Sequence, residues 1–251
     1  MIQLNKFTLG EVLERMIELE NIHAYYGNSH IIQGVSLTVP AGKCVALLGR
    51  NGAGKTTTIH TIAGLHKLQK GSIRFKGKQI QSLTSYQISR EGIGLVPQGR
   101  RIFPSLTIRE NLTMAARKNG KGNDSEWDIE KIYELFPVLK ERERNLGTQL
   151  SGGQQQMLAI GRALMTNPQF ILMDEPSEGL APVIIDQVGD IVAKLKQLGL
   201  SILIVEQNIS LACQVADEIL IMNKGTIVWN GTSEELLENE EIQHKYLGVS
   251  S

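Results

Sequence analysis

Short apolar runs bounded by turn residues recur along this chain, with helix-like spacing between several of them. Residues 44–48 read CVALL, residues 170–173 FILM and residues 202–205 ILIV. Such runs suit strands buried on both faces, and none nears the ~18 apolar residues of a membrane span. From Met16 the text MIELENIHAYYG alternates like a half-buried strand. Residues 1–15 carry scattered charges and no apolar block. They read either as a short amphipathic helix or as an appended segment, with Met16 as an alternative start, and not as a secretory signal.

The same pattern predicts strands at 35–39, 72–75 and 92–96, the first closed by Pro40-Ala41-Gly42-Lys43. Between about 99 and 150 it turns helical, with charged stretches at 107–118 and 126–144 around a Gly/Asn cluster at 119–123. Alternation then resumes with a helix over 182–198 closed by Gly199 and a strand over 201–205. A hairpin of 218–222 and 226–229 about Asn223-Lys224-Gly225 leads to a terminal helix capped by Ser233. Strands alternating with helices imply an α/β fold with a mainly parallel sheet, into which the helical middle reads as an insertion.

The 251 residues allow one large domain or two small ones. Lys and Arg number 26 and Asp and Glu number 26, so no global basic field exists to hold nucleic acid. Cys44 and Cys213 are too few and too far apart for a disulfide framework or a zinc site. The expectation is a soluble intracellular protein.

Candidate chemistry begins at residues 49–56, GRNGAGKT, which fit G-x-x-x-x-G-K-[ST] between the 44–48 strand and a helical run. Glycines let successive backbone N–H groups turn around a phosphate, and the helix N-terminus adds its dipole. Lys55 would reach the β- and γ-phosphates and the Thr56 hydroxyl would take a Mg²⁺ position. A chance Gly-rich turn ending in Lys-Thr is the bland alternative, which the flanking strand and helix disfavour. G-x-G-x-x-G spacing, the dinucleotide mark, is missing. Residues 170–175, FILMDE, put a carboxylate at the end of an apolar strand, where ligands bind in open α/β sheets. Asp174 would hold Mg²⁺ and Glu175 would polarise an attacking water. A third motif, LSGGQQQ at 150–156, has a Ser hydroxyl and two glycine amides opening a helix, a second anion cradle.

GRNGAGKTT, Gln98 within VPQGRRIFPSLTIRENL, LSGGQQQ and FILMDEP, in that order, resemble the ATP-binding subunits of ABC transporters across residues 16–251. The resemblance implies an ABC ATPase of the phosphate-loop NTPase class, with a mainly parallel core sheet, an antiparallel β subdomain and the helical insertion at about 99–150. It implies ATP and Mg²⁺ as cofactors. Nucleotide contacts fall on Gly49, Asn51, Gly52, Ala53, Gly54, Lys55, Thr56 and Thr57, with Ser151, Gly152, Gly153 and Gln154 of a second subunit closing over the same ATP. Thr56, Gln98 and Asp174 match metal positions, and Glu175, Gln98 and Gln207 match catalytic ones. Tyr26 matches the aromatic that stacks on adenine, with Tyr25 the competing choice. Ile102, Phe103 and the residues after Gln98 are candidates for a groove facing membrane partners, or else for ordinary packing.

Two departures stand out. Ala181-Pro182 follow Glu178-Gly179-Leu180 where the family commonly has Asp, and Gln207 stands where a switch His is common. Gln can donate to a γ-phosphate but cannot shuttle a proton, so either turnover rests mainly on Glu175 or this site is slower than its partner's. PSEGLAP and LIVEQN resemble the second ATPase subunit of branched-chain amino acid importers; urea or amide importers share much of this text. The implied partners are a second ATPase subunit, different or identical, two transmembrane permease subunits and, indirectly, a periplasmic or lipid-anchored solute-binding protein, at the cytoplasmic face of the inner membrane. The rival classes are a soluble ABC protein and another phosphate-loop enzyme; Asn223-Lys224 is followed by Gly-Thr, so the guanine-reading N-K-x-D is missing.

Overall fold

A computed structural model describes residues 15–117 and 126–248. Two sheets form its body. Strands β1 (Arg15–Tyr26), β2 (Ser29–Pro40), β4 (Lys70–Phe75) and β5 (Lys78–Gln79) pair antiparallel in the order β2-β1-β4-β5. The second sheet runs β10-β9-β3-β8-β7-β6, from β3 (Cys44–Leu48), β6 (Ile93–Val96), β7 (Phe170–Asp174), β8 (Ser201–Glu206), β9 (Glu218–Asn223) and β10 (Thr226–Gly231). All its pairs are parallel except β9 with β10. The expected antiparallel sheet, mainly parallel sheet and helical segment are therefore all present. The segment 1–14 and the Gly/Asn cluster lie outside the described residues, and Arg15 already belongs to β1.

The apolar runs are explained by burial on both faces. In β3, Cys44, Ala46 and Leu48 join one core while Val45 and Leu47 join the other. Strands β7 and β8 divide in the same way, with Ile171, Met173, Ile202 and Ile204 on one side and Phe170, Leu172, Leu203 and Val205 on the other. Each large side chain so buried contributes roughly 1.5–3 kcal/mol, which outweighs the modest β-propensity differences among these residues. One core meets helix α1 (Lys55–Ile62), helix α2 (Ser85–Glu91) and the antiparallel sheet.

The other core meets the helices between β6 and β7: α3 (Ile108–Ala115), α4 (Ile129–Leu135), α5 (Pro137–Glu141) and α6 (Gly152–Leu164). Local chemistry sets their starts. Thr107 with Glu110, and Ser151 with Gln154, form reciprocal capping boxes, while Asp128 caps α4. Helix α7 (Pro182–Gln197) starts on a proline and stops one residue short of expectation, because Leu198 takes the cap ahead of Gly199 at φ +87°. Helix α8 (Ile209–Val215) follows β8. Helix α9 (Ser233–Leu237), which two short helical segments follow, is capped by Thr232, not Ser233: Thr232 accepts from the Glu235 N–H, and the Ser233 hydroxyl donates to the Cys213 carbonyl at 3.1 Å.

Turn residues Lys224 and Gly225 both have positive φ, +46° and +82°, as a tight β9–β10 hairpin requires. Gly225 also joins three elements. Its N–H donates to Ala53 O at 2.8 Å, its carbonyl accepts from Gln33 N–H of β2 at 2.8 Å, and a Cβ there would collide with Ile31 O.

Candidate functional site

Register brings the carboxyl ends of three strands together. Leu48 of β3 lies opposite Glu206 of β8, and Asp174 of β7 lies opposite Val205. Beyond Leu48 the chain turns into α1 through Gly52 at φ +78° and Gly54 at φ +112°, backbone states that favour glycine. Gly49 has a steric reason instead, since a Cβ would strike Met222 O. With Gly54 at its N-cap, α1 has no side-chain cap, so its first N–H groups stay available to an anion. They open on a cleft of about 350 Å³ lined by Tyr26, Ile31, Asn51, Gly52, Gly54, Lys55, Thr56, Thr57, Gln98 and Glu175.

Glu175 is the hub of this cleft. Its Oε1 pairs with Lys55 Nζ at 3.0 Å, and its Oε2 accepts from Gln98 Nε2 at 3.2 Å and Gln207 Nε2 at 2.9 Å. Lys55 Nζ also donates to Gly49 O at 2.9 Å and Arg50 O at 3.3 Å. Glu175 itself sits at φ +47°, a left-handed conformation that costs on the order of 1 kcal/mol, and its N–H is tied to Val205 O at 2.9 Å. Beside it, Asp174 Oδ1 accepts from Thr56 Oγ1 at 3.0 Å, while the buried Oδ2 has no hydrogen-bond partner. Burial pushes the Asp174 carboxyl up to about 6, against the opposing effect of the Thr56 bond. An under-satisfied carboxylate beside a hydroxyl at the mouth of a phosphate loop fits Mg²⁺, which takes few protein ligands. No group of three or more His, Cys, Asp or Glu suited to an ion occurs among the described residues.

The aromatic pair at the end of β1 divides cleanly. Tyr26 is 52% exposed, lines the cleft and packs its ring on His66 with centroids 4.3 Å apart. Tyr25 stacks on His30 at 4.1 Å and does not line the cleft.

Residues 151–154 lie elsewhere. Ser151 accepts from the Gln154 N–H at 3.3 Å, and Gln154 Oε1 accepts from the Ser151 N–H at 3.1 Å. Gly153 packs so closely on α7 that a Cβ would come 2.8 Å from Ile184 Cγ2. Ser151, Gly153 and Gln154 border a separate groove of about 530 Å³ with Phe136, Met157 and Ile184, and none of them lines the phosphate-loop cleft. The phosphate-loop and LSGGQQQ motifs of one chain thus face different spaces.

Residues 32–178 match the sequence family described as ABC transporter. The chain belongs to that family. It is 44% identical, over 93% of its length and 100% of the relative's, to the high-affinity branched-chain amino acid transport ATP-binding protein BraG of Pseudomonas aeruginosa. It is 35% identical, over 93% of its length and 97% of the relative's, to the lipopolysaccharide export system ATP-binding protein LptB of Haemophilus influenzae. A dimeric bacterial ABC transporter cassette superposes with a TM-score of 0.75 at 26% identity, covering 87% of this chain and 99% of that one.

This ABC-type ATPase carries one element that motif reading missed. Glu206, buried at the end of β8, accepts from three backbone N–H groups on two loops. Its signal in the sequence is an acidic residue closing an otherwise apolar strand, next to Gln207 in VEQN. The candidates for a partner-facing groove, Ile102, Phe103 and the residues after Gln98, divide between packing and a cavity. Ile102 packs into the core, and Phe103 holds the Arg162 guanidinium 4.4 Å over its ring. A neighbouring cavity of about 310 Å³ is lined instead by Leu65, Ile88, Arg100, Arg101 and Arg162. No helix among the described residues is long and apolar enough to cross a membrane.

Proposed function

We propose that this cassette powers uptake of branched-chain amino acids through separate permease subunits at the cytoplasmic face of the inner membrane. The observation that carries the reading is full-length similarity to BraG at 44% identity, above that to LptB. The division follows the resemblance: an ATPase unit over 16–251 with a helical insertion at about 99–150.

In this reading the Lys55 ammonium exchanges its loop carbonyls and Glu175 for the β- and γ-phosphates of ATP, with the N–H groups of residues 49–57 around them. Adenine stacks on Tyr26. Thr56, Asp174 and Gln98 would hold Mg²⁺, which would supply charge neutralisation on the phosphates. Glu175 takes the proton of the attacking water as general base. Gln98 and Gln207 keep that carboxylate aimed, and neither neutral amide competes for the proton. Ser151, Gly152, Gly153 and Gln154 serve the ATP of a second cassette, identical or different, because they face away from this chain's own cleft. Two permease subunits and a solute-binding protein complete the importer. Nucleic acid is no partner of this neutral chain.

Co-reconstitution with the permease and solute-binding proteins of a branched-chain amino acid importer from the same cell tests the proposal. ATP-driven leucine uptake into proteoliposomes is expected. Uptake of urea or a short amide without leucine, or stimulation of ATPase activity only by lipopolysaccharide, would replace it.

A further inference from the structure

We propose that Glu206 is a positioning residue of the ATPase centre, tying the loop after Glu175 to the backbone of Gln207 so that Gln207 reaches Glu175. This rests on the reading that Glu175 and Gln207 carry turnover.

Glu206 is 1% exposed, and among the described residues no ion pair reaches it. Its two oxygens are divided between loops. Oε1 accepts from the Ser177 N–H at 2.9 Å, two residues after Glu175; Oε2 accepts from the Gln207 N–H at 3.0 Å and the Asn208 N–H at 3.1 Å. Burial pushes the Glu206 carboxyl up, and the amides of Ser177, Gln207 and Asn208, with the Ser177 side chain, oppose that rise by pointing at its oxygens. The bridge closes a ring: from Glu206 through Ser177 back to Glu175, and from Glu206 through Gln207, whose Nε2 returns to Glu175 Oε2 at 2.9 Å. Asn208 extends the hold to α8, since its side chain accepts from the Leu211 N–H at 3.0 Å.

Only a carboxylate suits the position. Both oxygens must accept, from opposite sides, and no donor is wanted. A glutamine supplies one acceptor and turns an NH₂ toward N–H groups, so one loop must let go. An aspartate keeps the charge but is one methylene short, and can stay with Gln207 and Asn208 only by releasing Ser177. Glu206 does not line the cleft, so any effect on turnover passes through the residues it holds.

The test is a double-mutant cycle on the full chain, reading kcat and KM for ATP with thermal melts alongside. Q207A is expected to lower kcat about tenfold. E206Q is expected to lower kcat by about the same factor with KM changed less than about twofold, and the double variant to fall no further than Q207A. A residue that only supports the fold would instead multiply its loss in both backgrounds. Unchanged kcat in E206Q, or losses that multiply while Q207A alone is impaired, overturns this proposal and leaves Gln207 its role. Wild-type kcat in Q207A overturns the reading of Gln207 and the proposal with it. If E206Q does not melt cooperatively, E206D enters the same cycle; there, wild-type turnover overturns the bridge and a loss absent from the Q207A background supports it.

Discussion

The ammonium of Lys55 lies 3.0 Å from Glu175 Oε1, and the two side chains are only 3% and 6% exposed. The residue expected on phosphate and the residue expected on water are thus in direct contact. Removing one partner of such a buried pair strands the other charge, at a cost of about 3–5 kcal/mol. Glu175→Gln is therefore expected to lower the melting temperature of the nucleotide-free chain while cutting ATP turnover at least ~100-fold. ATP should then hold the variant as a dimer in size-exclusion chromatography. Turnover within a few-fold of wild type would remove Glu175 from the chemistry.

Gln207 donates to Glu175 Oε2 at 2.9 Å through an amide. An imidazole N–H can make the same donation and can also carry a proton. Gln207→His is expected to keep or raise ATPase activity, with a new dependence on pH near ~6.5, the unperturbed imidazole value. A large loss at every pH would mean that the amide has another task.

Asp174 shows how a site can oppose the fold that holds it. Its carboxyl is pushed up to about 6 by burial, so the folded chain binds its proton more tightly than the unfolded chain does. The ionised form destabilises the fold above that pH, and the penalty disappears as pH falls from about 6 toward the unfolded value near 4. Asp174→Asn should then melt higher than wild type at pH 7.5 without nucleotide or metal, by on the order of 1–3 kcal/mol, with the gap closing by pH 4. ATP turnover should be lost. Equal melting at pH 7.5 would contradict the burial argument.

Tyr25 and Tyr26 give a paired comparison. Tyr26→Ala should raise KM for ATP about tenfold and leave the melt nearly unchanged, because its ring is half exposed at the cleft. Tyr25→Ala, which removes a stack on His30 at 4.1 Å, should lower the melt and leave KM alone. The reverse pattern would exchange their assignments.

Much of this was legible in residue order because the informative parts are local. An apolar run buried on two faces, a glycine turn into a helix and a capping box are each written within a few consecutive residues. The ends of α7 were legible to within a residue, while the cap of α9 was missed by one because two hydroxyls competed there: that of Ser233 is drawn off to the Cys213 carbonyl, a contact 20 positions away. The ring around Glu175 was not legible, because Lys55, Gln98, Glu175 and Gln207 come from four separate segments that only strand register aligns. Glu206 was hidden for the same reason, as one of its three donors lies 29 residues earlier.

Gly225 has a mechanical consequence. One backbone unit, too crowded to bear a side chain, fastens the phosphate loop at Ala53 and the antiparallel sheet at Gln33 to the β9–β10 hairpin. Both sheets and the phosphate loop are thereby riveted together at a single residue. Among the described residues, no backbone hydrogen bond of this kind ties the helices between β6 and β7 to the phosphate loop.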